Sequence, residues 1–343
     1  MDRTRRVEIT RAALLGQAVG DTFGVPVEFL SRAEVRAIDP REMLGADAGP
    51  VVGGSRWGDR IPRGAWSDDT SMALASMASF VSRGGEIDWE DQMDSFDRWW
   101  SGGAYCSLDF SFGLGNNVSA AMARHSRGVP ALRCGGRSFM KNGNGALMRI
   151  LPFALHCIFR GLDTAETAAL VGDASALTHG HDISKLCCFL WTELLRGLIG
   201  GAGTAEAIAR IEGLPCGRWF SPEARRALAF VTEGRTRELT EEDIGETGYV
   251  ADSLYAALWS LLRGDSYEAC IRAAVGLGYD TDTNAAITGM AAGILYGETG
   301  IPARWLAPLK KRALLERAAE AFAGCVGAEA GEATAPAFPE FRQ

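Results

Sequence analysis

The sequence predicts an all-α protein built as one compact domain over residues 5–325. Three observations carry this prediction. Apolar residues recur at helical spacing through most of the chain. Runs with strand character, such as residues 25–29, are too few to make a central sheet. Strands and helices do not alternate regularly, as a doubly wound fold requires.

The elements follow in order. Ile9, Ala12, Ala13, Leu15 and Val19 draw an apolar stripe along a first helix. Residues 72–81 predict a second. Residues 182–198 predict a third, opened by Asp182 as an acidic cap and closed by Gly200 and Gly201. Ser221-Pro222-Glu223 starts a helix running to 232, a cap followed by proline at the first helical position. Helices over 250–262, 266–275, 283–296 and 305–322 complete the set. Residues 326–343, rich in Ala, Gly, Glu and Pro, predict a disordered tail.

Two stripes of small residues stand out. Gly16, Gly20 and Gly24 are spaced by four, as are Ala285, Gly289, Gly293 and Gly297. On a helix this spacing lines one face and lets another backbone come close. Glycine costs about 1 kcal/mol relative to alanine inside a helix, so tight packing of central helices is expected to compensate; the competing reading is chance spacing in a chain with 42 glycines.

Composition narrows the partners. The 343 residues are 47% apolar, enough for a sizeable core. A net charge of −8 argues against a nucleic-acid backbone as the main partner, because that contact needs clustered Lys and Arg. None of the eight cysteines forms a C-x-x-C pair, so free, buried thiols in a reducing compartment are expected. No apolar run follows the N-terminal charges, and the longest apolar stretch, 285–296, falls short of the roughly 20 residues that span a bilayer. A cytoplasmic monomer is expected.

Two acidic segments carry the chemical signal: Trp66-Ser67-Asp68-Asp69-Thr70 and Gly278-Tyr279-Asp280-Thr281-Asp282-Thr283-Asn284. Each precedes an apolar helical run. The plain reading is a pair of helix N-caps, yet each segment offers more oxygens than one cap needs. Four aspartates brought together would repel, and their pKa values would rise. A divalent cation removes that conflict, and an all-oxygen donor set favours Mg²⁺ or Mn²⁺ over Zn²⁺. Two such ions about 3.5–4 Å apart form a hydrolytic clamp.

Three further segments are candidates. Lys141-Asn142-Gly143-Asn144-Gly145-Ala146 is a glycine-rich turn whose amides can face phosphate oxygens; the competing reading is an ordinary Asn-Gly turn. In Thr178-His179-Gly180-His181-Asp182 a helix cap is favoured over a zinc pair, because no third ligand is evident. Glu28, in Val25-Pro26-Val27-Glu28-Phe29, needs a partner or a raised pKa, which makes it a gate, a base or half of a buried pair.

Together these strings resemble the ADP-ribosylglycohydrolase family, which includes the dinitrogenase-reductase-activating glycohydrolase and the animal ADP-ribosyl-acceptor hydrolases. The likeness runs through nearly the whole chain in order. Gly16-Gln17-Ala18-Val19-Gly20-Asp21 with Glu28 resembles the opening motif, and Ser67-Asp68-Asp69-Thr70 the first metal motif. Asn142-Gly143-Asn144-Gly145-Ala146-Leu147-Met148-Arg149 resembles the ligand loop, Leu177-Thr178-His179 the histidine motif, and Asp280-Thr281-Asp282-Thr283 the second metal motif.

The resemblance implies an all-α fold with two Mg²⁺ or Mn²⁺ ions in a cleft. Ser67, Asp68 and Asp69 would bind metal from one side, and Asp280, Asp282 and Thr283 from the other. Glu28, Asp69 and Asp282 would be catalytic. Lys141, Asn142, Gly143, Asn144, Gly145, His179, Gly278 and Tyr279 would hold substrate, the loop and His179 lying along the pyrophosphate and distal ribose. The implied activity is hydrolysis of the bond between ADP-ribose and a protein or small-molecule acceptor; nucleic acid would enter only as such an acceptor. The alternatives are a relative that binds ADP-ribose without turnover, a toxin-immunity protein of the same fold, and a two-metal phosphohydrolase. Two departures accompany the likeness. Ser67 stands where the family usually has Thr, and Gly113 stands where the nitrogenase-linked members carry an Asp, which opens the question of arginine specificity. Asp109 is the nearby carboxylate that could substitute.

Overall fold

A computed structural model describes residues 1–47, 52–327 and 336–340. Among the described residues sixteen α-helices follow one another. They are α1 (Arg3–Gly24), α2 (Arg32–Ile38), α3 (Asp68–Ser82), α4 (Trp89–Trp100), α5 (Asn116–His125), α6 (Leu151–Phe159), α7 (Thr164–Ala176) and α8 (Asp182–Ile199). Then come α9 (Thr204–Glu212), α10 (Pro222–Ala227), α11 (Ala229–Thr232), α12 (Val250–Arg263), α13 (Tyr267–Val275), α14 (Thr281–Tyr296), α15 (Ala303–Leu306) and α16 (Arg312–Cys325). Among the described residues the only β pairing is two isolated bridges, Gly136 with His179 and Gly143 with Tyr249. Both tie down the loop that precedes α6.

The glycine stripes do what their spacing predicts. A Cβ on Gly20 would lie 2.1 Å from the Ala285 carbonyl oxygen, and one on Gly289 would lie 2.2 Å from that of Gly16. Backbone therefore touches backbone along α1 and α14. The contact continues to Gly24, where a Cβ would meet the Asp282 nitrogen at 2.3 Å. Close packing thus seats the first turn of α14 against the last turn of α1. Gly297 does not join the stripe: it caps α14 at φ +70, and a Cβ there would reach only Thr299.

Several expectations need correction. The helix predicted over 222–232 breaks at Leu228 (φ −117, ψ 37) into α10 and α11. The helix predicted over 305–322 is split after Leu306, because Pro308 lacks an amide donor and Lys311 turns left-handed at φ +48. The cap of α8 is His181, whose Nδ1 accepts from Ile183 N, while Asp182 accepts from Ser221 N. Residues 328–335 and 341–343 of the expected tail lie outside the described residues. Between them, Phe338 packs edge-on against Tyr105 at 6.0 Å.

The main core is an apolar cluster containing Trp66, Trp99, Trp191 and Trp305, and a small second cluster joins Val25, Ile61, Ala65 and Phe112. All eight cysteines are free thiols, buried except for the half-buried Cys325. Among the described residues no helix is long and apolar enough to cross a membrane.

Candidate active site

Asp21, in the last turn of α1, organises the start of α3. Its carboxylate accepts from Ser67 N (2.9 and 3.1 Å), Thr70 N (3.1 Å) and Thr70 Oγ1 (2.7 Å). One turn earlier, Gln17 Nε2 donates to the carbonyls of Asp69 (2.8 Å) and Met148 (2.9 Å). Two buried polar side chains of one helix therefore fix both the first acidic segment and the chain entering α6. Ser67 caps α3, accepting from Asp69 N and donating its Oγ hydrogen to Asp69 Oδ2 at 2.9 Å. On the other side, Thr281 Oγ1 donates to Gly24 O at 2.8 Å and fastens α14 to α1. Asp280 stands at the cap position of α14 but makes no capping bond, so its carboxylate is free for other work.

The acidic side chains converge. Carboxylate oxygens of Asp21, Asp69 and Asp282 lie within 4.8 Å of one another, as do those of Glu28, Asp280 and Asp282. Asp282 belongs to both groups. Glu28 Oε2 and Asp69 Oδ1 are buried with no hydrogen-bond partner. Burial is the largest influence on each of these acids, and it drives them up: Asp21 to about 6, Asp68 to about 7, Glu28 to about 8, and Asp69 and Asp282 well above the ordinary range. Repulsion from neighbouring carboxylates adds to burial for Glu28, Asp68, Asp69 and Asp282. Arg56 offsets this for Glu28, Asp68 and Asp280. Two oxygen-only triads sharing one aspartate, with orphaned carboxylate oxygens, fit hard divalent cations.

These groups open into a cavity of about 600 Å³. Its walls include Glu28, Asp68, Asp69, Asp280, Asp282 and Thr283, together with Lys141, Gly143, Asn144, Gly145, His179 and Tyr279. The ligand loop is joined to the carboxylates directly, since Asn144 Nδ2 donates to Asp280 Oδ2 at 2.6 Å and to Ser253 Oγ at 2.9 Å. At the mouth, Phe29 and Tyr279 pack ring against ring at 5.1 Å, both with left-handed backbone (φ +64 and +60). Their main chains pair, Phe29 N donating to Tyr279 O at 2.6 Å. The Arg56 guanidinium lies 5.6 Å from the Phe29 ring centre.

Three expected site residues are not on the cavity wall. Ser67 sits behind Asp69 and acts through it. Asn142 spends its side chain inward: Nδ2 donates to Phe139 O (2.8 Å), and Oδ1 accepts from Ser184 Oγ (2.9 Å). Gly278 has φ +75, and a Cβ there would lie 2.4 Å from Arg32 N, so it serves the close approach of α2. Asp109 is exposed and lies off the wall. Gly113 is on it, at φ +95, with Asp68 Oδ1 2.1 Å from where a Cβ would be.

The expected site set omits Asp21, Arg56, Asn116 and Asn117. Asp21 did carry a signal. It stands four residues after Gln17, and the two form a polar i, i+4 pair in the largely apolar second half of the helix. Arg56, Asn116 and Asn117 come from segments whose placement depends on tertiary contacts, and no spacing rule reveals them.

Comparison with known proteins agrees with this architecture. The family model described as ADP-ribosylglycohydrolase matches residues 2–331. The chain is 30% identical to the ADP-ribosylarginine hydrolase Tri1 of Serratia proteamaculans, over 90% of this chain and 77% of that protein. It is 28% identical to the ADP-ribosyl-[dinitrogen reductase] glycohydrolase of Rhodospirillum rubrum, over 87% of this chain and 88% of the relative. A solved structure titled ADP-ribosylglycohydrolase-related protein complex superposes with a TM-score of 0.72 at 33% identity, covering 93% of this chain and 98% of that one. With a match that spans nearly every residue and a shared all-α fold, the chain belongs to the ADP-ribosylglycohydrolase family.

Proposed function

We propose that the protein hydrolyses the glycosidic bond between ADP-ribose and a modified side chain, with Mg²⁺ or Mn²⁺ in the carboxylate cluster. The observation that carries this reading is the pair of buried triads, Asp21/Asp69/Asp282 and Glu28/Asp280/Asp282, which share one aspartate. Asp68 and Thr283 extend the oxygen set on the cavity wall. When bound, divalent ions there would hold ribose hydroxyls and lower the pKa of water.

The chain's own groups account for the remaining chemistry. Loss of the acceptor builds oxocarbenium character at the anomeric carbon, which a cavity rich in carboxylates stabilises. Glu28 Oε2 is buried with no hydrogen-bond partner on a residue of the cavity wall, which leaves a carboxylate oxygen there to take up or give back a proton. The loop of Lys141, Gly143, Asn144 and Gly145, with His179, offers a cation, backbone amides and a ring nitrogen to the pyrophosphate. Tyr279 and Phe29 offer ring surface at the mouth to the acceptor.

Arginine is the acceptor to try first, given the names of the relatives. Free, mostly buried thiols suit a reducing compartment and so a cytoplasmic location. The test is product analysis on arginine-, serine- and nucleic-acid-linked substrates with added Mg²⁺. Release of ADP-ribose is expected, and the active substrate identifies the linkage. Release of AMP instead would make the protein a phosphohydrolase, and tight binding of ADP-ribose without turnover would make it a binding protein.

A further inference from the structure

We propose that Arg149 is a positioning residue: through Thr178 it fixes the His179 proton on Nε2 and presents that N–H, with the guanidinium charge behind it, to a phosphoryl oxygen of the ligand. The ligand half of this inference rests on the function proposed above.

Arg149 is fully buried, a costly place for a cation. Among the described residues it makes no ion pair with a carboxylate, and its Nε and Nη1 have no hydrogen-bond partner. Its guanidinium lies 4.9 Å from the Phe96 ring centre, a contact that eases the burial without cancelling the charge. Nη2 alone is engaged, donating to Ala174 O at 2.9 Å and to Thr178 Oγ1 at 2.7 Å. A buried, uncompensated cation persists when something anionic completes it, and its bonds lead through Thr178 to His179, which lines the cavity.

The bonding between them fixes a tautomer. Thr178 Oγ1 accepts from Arg149, and guanidinium can only donate. The hydroxyl hydrogen has one bonded acceptor available, His179 Nδ1, at 2.9 Å. With the hydrogen on Nδ1, the buried hydroxyl hydrogen would be left without an acceptor, so Nδ1 carries the lone pair and Nε2 carries the hydrogen. His179 is also held neutral, its pKa driven down to about 3 by burial and by the positive charges of Arg149 and Lys141. The His179 backbone is anchored on both sides, since His179 N donates to Ser175 O at 2.7 Å and Ser175 Oγ donates to His179 O at 2.8 Å.

The exit of this relay is kept clear. A Cβ on Gly143 would lie 3.3 Å from His179 Nε2, and one on Gly145 would lie 3.1 Å from Cε1. Glycine at both positions leaves the N–H open to the cavity that His179 lines. Donor polarisation along Arg149, Thr178 and His179 strengthens a hydrogen bond to an anion.

The test has a spectroscopic arm and a binding arm. Long-range ¹⁵N–¹H correlation on histidine-labelled protein without ligand reads the tautomer, and the His179→Gln variant assigns the signal among four histidines. The expected state is Nε2–H in the wild type and in Thr178→Ser, with Nδ1–H appearing in Thr178→Val and Arg149→Met. Calorimetry with ADP-ribose should show affinity lowered roughly tenfold in Thr178→Val and Arg149→Met, and regained in Thr178→Ser. Thr178→Val is near-isosteric and keeps the test decisive if Arg149→Met fails to fold. Nδ1–H in the wild type, or unchanged affinity in Thr178→Val, would overturn the inference. Failure of the wild type to bind ADP-ribose would overturn the ligand half together with the function proposed above, while the ligand-free tautomer decides the relay by itself.

Discussion

Gly113 shows how one residue guards the chemistry. Its backbone is left-handed at φ +95, and Asp68 Oδ1 lies 2.1 Å from the position of a Cβ. Gly113→Ala should displace Asp68 and lower turnover by more than tenfold with the helical fold retained, checked by circular dichroism alongside kinetics. Asp21 makes a complementary case. Asp21→Asn keeps the shape but removes a charge from a metal triad and recasts the bonds to Ser67 and Thr70. Metal affinity should fall 10- to 100-fold by titration. At this scale the sequence was informative wherever residue type alone constrains chemistry. Asp-rich segments at helix starts announced the acidic cluster, and Glu28 in an apolar string announced a perturbed acid. Arg56 was not legible, because nothing in its local spacing says that its loop folds over Glu28. Asn142 carried the look of a ligand residue, yet its amide is consumed by Phe139 and Ser184.

The pairing of α1 with α14 is the element on which the site depends. Both acidic ends are brought together because glycine lets the two backbones touch. Gly20→Ala puts a Cβ 2.1 Å from a carbonyl oxygen of a packed helix, which has nowhere to move. A loss of about 3 kcal/mol or more is expected in denaturant melts. Gly53→Ala, where a Cβ meets nothing, should change stability by less than about 0.5 kcal/mol. The four-residue spacing announced that each helix packs a close backbone neighbour, while the partnership of the two stripes with each other is seen in the structure. Helix ends were less readable. Leu228 breaks a helix with no proline or glycine at hand, and α4, α5, α6, α7 and α9 fill stretches where the apolar stripe is short or interrupted. Their boundaries are set by what they pack against.

Across the whole molecule, the buried carboxylates couple metal binding to stability. Without metal, Asp21, Asp68 and Glu28 have folded pKa values of about 6, 7 and 8, above their ordinary values near 4. An acid whose pKa is raised on folding stabilises fully below its unfolded pKa, and that contribution is lost as pH rises through the folded value. Chelated protein should therefore lose melting temperature between about pH 4 and 8. Mg²⁺ or Mn²⁺ should restore it most at the upper end, since cations bind the ionised form. A chelated melt that is flat across this window, or one that rises, would show that the carboxylates are already compensated. His156 works in the opposite direction: its pKa is held down near 4 by burial, so it costs stability as pH falls below about 6.5.

The most direct measurement is release of ADP-ribose from ADP-ribosylated arginine, serine and nucleic-acid ends. It should be made on wild type with Mg²⁺, on wild type with chelator, and on Asp282→Ala with Mg²⁺, the residue shared by both triads. Release is expected from the first and a loss of at least a hundredfold in the other two, with ADP-ribose as the only nucleotide product. Equal release with chelator, or by a folded Asp282→Ala, would contradict a metal-dependent reaction centred on these carboxylates.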